Sequence, residues 1–160
     1  MAYSDKIVDH FNNPRHIGTL DKKSPNVGVG LAGSPSCGDV LQMCIEFEED
    51  ESGKEIVKEA KFKAFGCGAM IASSSLATEW VMDGLEGEGR MNMEEVRDIK
   101  NTDLVESLDL NLIKIHCSVL TASAIKLAIE DYKSKKALRD DAKQNSKAEE
   151  IAEIENKDFA

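Results

Sequence analysis

The sequence predicts an α+β fold in which helices pack on one face of an antiparallel sheet. Residues 40–47 (VLQMCIEF) and 56–65 (IVKEAKFKAF) alternate apolar and polar side chains, as strands buried on one face do. The acidic, glycine-containing segment EEDESGK between them predicts a hairpin. Helical apolar patterns flank these two strands, and 160 residues suffice for one domain with a substantial core.

The first element is a short amphipathic helix over residues 3–13 (YSDKIVDHFNN), ended by Pro14. The residues expected to share its apolar face are Ile7, Val8 and Phe11. His10 and His16 lie near the end of this helix, and we expect them at the surface or in capping positions.

The next segment, NVGVGLAGSPSCGD, is rich in glycine and contains a candidate strand at Val27–Leu31 and a loop around Pro35. In the hairpin, Lys61 and Lys63 are expected to face solvent. The residues expected to face the core are Leu41, Met43, Ile45, Phe47, Phe62 and Ala64.

The second half of the chain predicts helices. One runs from about Cys67 to about Gly84, and its small residues would permit close packing. Two short helices follow in MNMEEVRDIK and NTDLVESLD, with Asn101 or Thr102 as the cap of the second. The last runs from about residue 117 to 136, and the residues expected to form its buried stripe are Leu120, Ala124, Leu127 and Ala128.

The chain divides into a globular domain over residues 1–136 and a polar tail over residues 137–160. From Lys133 onward acidic and basic residues are equal in number, so the acidity belongs to the body of the protein. Ile151 and Ile154 are too few to anchor a core element, and we expect a frayed helix or disorder there.

Composition argues against several classes of function. A net charge of −10 would repel a phosphate backbone, so basic proteins or metal cations are expected as partners rather than nucleic acid. No apolar run approaches the roughly 20 residues of a membrane span, and no membrane is expected. The N-terminus lacks the apolar segment of a secretion signal. We expect a cytoplasmic protein; a matrix protein whose transit peptide had been removed would look the same.

Three segments carry candidate ligands, which favours metal or sulfur chemistry over disulfides. Cys37 lies in SPSCGD, Cys67 in FGCGA, and His116 and Cys117 in KIHCS, each in a loop or at a helix start. Asp39 follows two residues after the first of them. Three thiols, an imidazole and a carboxylate exceed the four ligands of tetrahedral zinc, and such a site suits a group that is assembled and released.

The predicted positions of the thiols bear on their ionisation. The N-terminus of a helix favours anions, so we expect lowered pKa values for Cys67 and Cys117. A shift of about 1.5 units would leave roughly half of such a thiol ionised at neutral pH. Cys44 lies in mid-strand and is expected to be a buried structural residue, as any one of the others would be if it stood alone.

Five motifs in order carry a family resemblance: DHFNNPRHIGTLDKKSPNVGVGL, SPSCGDV, FKAFGCGAMIASSSLATEWV, IKNTD and KIHCSVL. Over residues 3–136 the chain resembles the IscU, or NifU N-terminal, family of iron–sulfur cluster scaffolds. The resemblance implies a three-stranded antiparallel sheet with helices on one side. It also implies a non-enzymatic scaffold on which a transient [2Fe–2S] cluster is built from persulfide sulfur and iron and then transferred.

The resemblance also implies ligands and partners. The positions that match the family's cluster ligands, which can hold zinc when no cluster is present, are Cys37, Asp39, Cys67, His116 and Cys117. Cys117 matches the persulfide acceptor, Asp39 the carboxylate that keeps the cluster labile, and Tyr3 a tyrosine implicated in pairing two scaffolds. The implied partners are a cysteine desulfurase, an iron- and sulfur-regulating protein of the frataxin type, a ferredoxin reductant and apo acceptor proteins.

The chain departs from the family pattern in two places. The chaperone-recognition motif Leu-Pro-Pro-Val-Lys is replaced by LNLIK at residues 110–114, so both prolines and their pre-set extended backbone are lost. Leu110, Ile113 and Lys114 retain the apolar and basic character through which an Hsp70-type chaperone and its J-type partner would bind. The segment over residues 84–95 is longer than the family's usual linker and is expected to be a surface insertion.

Two alternatives stay open at this point. A zinc-dependent sulfur acceptor of the SufU type would share the three cysteines and the aspartate, but such proteins have Lys-Cys at the last site, so His116 favours the scaffold. A purely structural zinc domain would unfold when its metal is removed.

Overall fold

A three-stranded antiparallel sheet is the centre of this computed structural model. The structure describes residues 3–34, 38–84, 87 and 89–158, but not the side chains of Ser34 and of residues 141–158. The described elements, in chain order, are α1 (Asp5–Asn12), β1 (Val27–Ser34), β2 (Asp39–Glu49), β3 (Glu55–Phe65), α2 (Gly68–Asp83), α3 (Met93–Arg97), α4 (Asn101–Leu108) and α5 (Ile115–Asp158).

The sheet has the strand order β1-β2-β3 and buries one face, as the alternation predicts. Gly30 pairs with Met43, and Met43 pairs with Phe62, so these three residues point to the same side. The predicted inward residues of β2, together with Phe62, are buried, and Ala64 packs against this core. Strand β1 is longer than predicted because Ala32 and Gly33 continue the ladder opposite the start of β2.

Helix α5 lies against β1 at unusually short range. A Cβ atom on Gly28 would lie 2.0 Å from the carbonyl oxygen of Ala128, and one on Gly30 would lie 1.9 Å from that of Ala124. Only glycine lets the helix backbone approach the strand this closely. Both glycines share the inner face with Met43 and Ile45, so the helices that cover the core lie on one side of the sheet.

The buried stripe of α5 differs from the predicted one. Ala124 and Ala128 are buried as expected and Leu120 is partly buried, but Leu127 is exposed. The buried residues of the helix repeat at intervals of three and four. They are Cys117, Ser118, Thr121, Ala122, Ala124, Ile125, Ala128, Ile129 and Tyr132.

Helix α1 packs on α2 through a face rotated from the predicted one. Ile7 and His10 are buried, whereas Val8 and Phe11 are about half exposed, so the prediction of a surface position for His10 is wrong. Its Nδ1 lies 2.8 Å from the Ser75 hydroxyl oxygen on α2. A histidine with polar partners on a neighbouring helix can occupy the centre of the contact, which the pattern of apolar residues does not reveal.

Two helix ends also depart from prediction. Lys100, rather than Asn101 or Thr102, precedes α4 as its cap residue, and its backbone N–H donates to the Asp103 carboxylate at 3.0 Å. Helix α5 continues through the predicted end near residue 136 and into the polar tail as far as Asp158. The expected surface insertion at residues 84–95 falls partly outside the described residues, at positions 85, 86 and 88. For its described end the expectation is wrong, because Met91 and Met93 are buried in the core.

One described segment, Leu112–Asp140, is long and apolar enough to cross a membrane by length and composition, with a mean hydropathy of 1.6 in its window of 18 residues. On composition, the expectation that no stretch approaches a span is therefore wrong. The segment is apolar because it contains the part of α5 that packs on β1 in the core. Core helices also pass this test of length and composition.

Candidate metal and sulfur site

Four of the five candidate ligands meet at one end of the sheet, which we call the site end. It comprises the start of β2 at Asp39, the start of α2 at Cys67 and the first turn of α5 with His116 and Cys117. These residues are far apart in sequence and come together because β2, α2 and α5 all begin at this end. The fifth, Cys37, lies outside the described residues.

The two described thiols of the site lie in direct contact. Sγ of Cys67 is 3.6 Å from Sγ of Cys117, with Cys117 fully buried and Cys67 partly exposed. Two sulfur ligands at about 2.3 Å from one tetrahedral metal would lie roughly 3.8 Å apart. The separation of the sulfur atoms therefore fits two ligands of one metal atom. Cys44 is also buried, but in the middle of β2, as the prediction of a structural residue requires.

The imidazole and the carboxylate form a second contact beside the thiols. Nδ1 of His116 donates to the backbone carbonyl of Ile113 at 3.0 Å, because a carbonyl can only accept. This leaves Nε2 facing Asp39, 3.1 Å from Oδ2, and Cys117, 3.6 Å from Sγ. A metal-binding histidine is commonly held in this way, with one ring nitrogen fixed by a carbonyl and the other directed to the site.

These contacts form a chain rather than a closed cage. Within the described residues, no three His, Cys, Asp or Glu side chains converge as the ligands of an ion would. The donor set of two thiols, one imidazole and one carboxylate suits iron or zinc in its chemistry. Its members would have to exchange their contacts with one another for contacts with a metal.

The expectation of a lowered pKa for Cys117 is wrong. Burial and the neighbouring Cys67 thiol raise its pKa to about 12. The reason lies in the local fold: a 3-10 turn, Leu112–Lys114, leads directly into α5, so Cys117 does not lie at a free helix start. Cys67 does occupy the predicted position, as the cap residue before α2.

Lys114 and Tyr3 border the same thiols. Negative charge on Cys67 raises the pKa of the Lys114 ammonium, with Tyr3 and Cys117 acting in the same direction. The rings of Tyr3 and Phe11 lie over the start of α2, where a Cβ on Gly68 would meet them at 3.6 and 3.3 Å. The structure thus brings Tyr3 and Lys114, which the family resemblance assigns to partner binding, to the edge of the thiol pair.

The segment that replaces the chaperone motif is not extended. Leu110 is buried, and Leu112–Lys114 forms the 3-10 turn. Ile113 is exposed and is available to a partner. A chaperone that binds an extended peptide would therefore have to unwind this turn and withdraw Leu110 from the core.

Two contributions to the site were missed from the sequence. Gly66 leaves the space that the Asp39 carboxylate fills, and the carbonyl of Ile113 orients His116. The contact of His116 with the Ile113 carbonyl could have been predicted, because Ile113 precedes His116 by three residues, which is the spacing of a turn-like contact at a helix start. The space at Gly66 could not have been predicted from the sequence, because the residues near Gly66 are set by the pairing of β2 with β3.

The chain resembles known proteins along most of its length. It matches the family described as NifU-like N terminal domain over residues 2–139. It is 50% identical over 142 residues to the iron–sulfur cluster assembly scaffold protein IscU of Rickettsia prowazekii, covering 89% of this chain and 100% of that one. The corresponding protein of Azotobacter vinelandii is 52% identical over 138 residues, covering 86% and 99%.

Solved structures show a similar fold. A crystal structure of a hypothetical protein has a TM-score of 0.55 and 27% identity, covering 78% of this chain and 94% of that one. A candidate cluster assembly scaffold of the SUF system from Fervidobacterium islandicum AW-1 has a TM-score of 0.54 over 79% of this chain and 96% of that one. At 18% identity, the second likeness concerns the fold alone.

Proposed function

This chain belongs to the family of NifU-like N-terminal domains, and from that membership we propose that it assembles a transient [2Fe–2S] cluster and passes it to acceptor proteins. The chain is an iron–sulfur cluster assembly scaffold and not an enzyme. Its close relatives are likewise named scaffold proteins. The ligands in this proposal are Cys37, Asp39, Cys67, His116 and Cys117.

The observation that carries the proposal is the contact chain at the site end. Thiolates are the usual ligands of iron–sulfur clusters, and Cys67 and Cys117 are spaced as two ligands of one iron would be. Asp39 and His116 stand beside them as oxygen and nitrogen donors. Such donors are expected to hold iron in a cluster less firmly than thiolates, which supports release of the cargo.

Sulfur would enter at Cys117. Its thiolate attacks the outer sulfur of a desulfurase persulfide, the S–S bond of the donor breaks, and the donor cysteine leaves as a thiolate. The sulfur now bound to Cys117 becomes sulfide on gaining two electrons, for which a ferredoxin-type reductant is the proposed source. Because Cys117 is buried and its pKa is raised to about 12, the desulfurase must open the site before the attack.

Exposed apolar side chains support a meeting of partner proteins at the site end. Phe65 is 72% exposed, Leu112 is 88% exposed and Ile113 is 64% exposed, and each lies within a few residues of a thiol of the site. A frataxin-type regulator, the desulfurase and the acceptors are proposed to bind in turn around this end. An Hsp70-type chaperone with its J-type partner would use the Leu110–Lys114 segment.

The same donor set is also suited to zinc. Two thiolates, one imidazole and one carboxylate satisfy a tetrahedral ion. We propose zinc as an occupant of the cluster-free form, displaced when iron and sulfur arrive.

Replacement of the carboxylate tests this function. In an Asp39→Ala variant loaded with cluster, we expect transfer to an apo ferredoxin to slow several-fold, because the oxygen donor that loosens the cluster is absent. Transfer is followed by the absorption of the acceptor, with Asp103→Ala, a change at a carboxylate in α4, as the matched control. An unchanged transfer half-life would contradict the role given to Asp39.

A further inference from the structure

Asp39 is held between two glycines, one from each neighbouring strand region. Its side chain is largely buried at the start of β2. Gly33 belongs to β1, and Gly66 follows the last residue of β3. Both have positive φ angles, of 148° and 156°.

The two glycines meet different parts of Asp39. A Cβ on Gly33 would lie 2.3 Å from the backbone oxygen of Asp39, whereas one on Gly66 would lie 2.3 Å from the side-chain oxygen Oδ1. The next nearest atoms to a Cβ on Gly66 are Cγ of Asp39 at 3.3 Å and Cβ of Met70 at 3.4 Å. The carboxylate therefore occupies the space that a side chain at position 66 would need.

We propose that Gly66 is a positioning residue for cluster chemistry, because its missing side chain seats Oδ1 of Asp39 and thereby holds Oδ2 against His116. The inference rests on the proposed function, in which Asp39 is the exchangeable oxygen ligand. With Oδ1 in the space beside Gly66 and Oδ2 3.1 Å from Nε2 of His116, the carboxylate faces the imidazole that borders the thiols.

The glycine is required by the side chain of Asp39 rather than by the packing of the core. Among the described residues other than its chain neighbours, only the Asp39 carboxyl group lies closer than 3.4 Å to a Cβ at position 66. Gly18 provides the matched control, since its φ of 142° is similar and, among the described residues, its Cβ position meets only the flexible side chain of Lys61, at 3.3 Å. Its substitution by alanine measures backbone strain without the collision.

The first test is a double-mutant cycle on the metal-free protein, followed by thermal unfolding. We expect Gly66→Ala to lower the melting temperature by about 5–10 °C. In an Asp39→Ala background we expect the same change to cost no more than Gly18→Ala does in the otherwise unchanged protein. Equal losses in both backgrounds would overturn the proposal. If Gly66→Ala fails to fold, folding of the double variant supports the proposal, and failure of the double variant overturns it.

The second test uses the cluster-loaded protein and transfer to an apo ferredoxin. We expect Gly66→Ala to lengthen the transfer half-life towards that of Asp39→Ala, and to add nothing in the Asp39→Ala background. A half-life like that of the unchanged protein would overturn the positioning role. Should Asp39→Ala itself leave the half-life unchanged, the function given to Asp39 fails, while the unfolding cycle still decides whether Gly66 seats the carboxylate.

Discussion

The two ends of the sheet are held together by different kinds of contact. At the far end, defined here by the start of β1 and by α5 from Asp131 to Arg139, side chains of the helix bind the backbone of the strand. Lys135 donates to the carbonyls of Lys22 and Val27 at 2.7 and 2.8 Å, and the Asp131 carboxylate accepts from the N–H of Val29 at 2.9 Å. At the site end, the thiols, the imidazole and the carboxylate mainly contact one another.

The difference separates stability from chemistry. Bonds to the backbone at the far end, together with the tilted stacking of Tyr132 on Phe47 at 4.7 Å, fix α5 on the sheet whatever the site contains. Contacts among the candidate ligands would have to break for a metal or sulfur to bind there. The fold can therefore let the site open without losing the position of its longest helix.

The largest effect is expected where α5 crosses β1. Gly30→Ala should cost about 3 kcal/mol or more, or prevent folding, because the new Cβ would lie 1.9 Å from the carbonyl oxygen of Ala124. Thermal unfolding followed by circular dichroism measures the loss. Gly53→Ala is the control: Gly53 lies in the hairpin turn with φ of 81° and no described atom within 4 Å of its Cβ position, so the change adds backbone strain but no collision. A melting temperature equal to that of the control would show that the close approach does not hold the two ends together.

A smaller loss is expected when the far end is loosened. Lys135→Met removes two hydrogen bonds to backbone carbonyls and the ion pair with Asp131, at 3.2 Å, and should cost about 1–2 kcal/mol. The change is measured by urea unfolding beside Lys133→Met, at an exposed position on the same helix. Cluster assembly should be unaffected. A Lys135 variant that kept full stability but lost cluster assembly would contradict the claim that the far end stabilises the fold and the site end carries the chemistry.

Acid should weaken the contact between α1 and α2. Burial lowers the pKa of His10 below its ordinary value near 6.5, as does the charge of Arg15, while Glu79 and Asp9 oppose the shift. Between the two pKa values His10 binds a proton in the unfolded chain but not in the folded one. The free energy of unfolding therefore falls as the pH drops below about 6.5 towards the pKa of His10 in the folded protein.

His10→Gln should flatten this dependence of the unfolding free energy on pH. The matched control is His16→Asn, since asparagine tolerates the left-handed backbone at that position, where φ is 60°. An unchanged slope between pH 5 and 6.5 in the His10 variant would assign the acid sensitivity to another group.

The smallest effect on stability is expected at the ligands themselves. Cys67→Ser should change the unfolding free energy of the metal-free protein by less than about 0.5 kcal/mol, since the thiol is partly exposed, yet abolish stable cluster binding. The same chemical change at the fully buried Cys44 should cost about 1–2 kcal/mol and leave the cluster in place. The reverse pattern would contradict the separation between residues that stabilise the fold and residues that bind the cluster.

Local patterns account for most of what the sequence predicts correctly. The alternation in VLQMCIEF and in KFKAF gives the buried face of the hairpin, because a strand has a period of two in any fold. The motifs that carry the family resemblance name Asp39, Cys67, His116 and Cys117, which the structure brings together. Cys37 lies outside the described residues, so its place among them stays a prediction.

The errors arise where tertiary contacts decide. The rotation of α1 depends on a hydrogen bond between His10 and Ser75, which lie 65 residues apart. The pKa of Cys117 is raised by burial and by the neighbouring Cys67 thiol, and the spacing of the cysteines in the sequence reveals neither cause. The seat of Asp39 at Gly66 is likewise a property of the strand pairing.

The central claim is that the ligands at the site end hold an iron–sulfur cluster as cargo. The most direct measurement mixes the metal-free protein with its desulfurase, cysteine, ferrous iron and a ferredoxin reductant, and records the visible absorption spectrum with iron, sulfide and zinc analysis. We predict a [2Fe–2S] chromophore with iron and sulfide in equal amounts, lost in Cys67→Ser and kept in Cys44→Ser. Tightly bound zinc, faster desulfurase turnover and no chromophore would contradict the account.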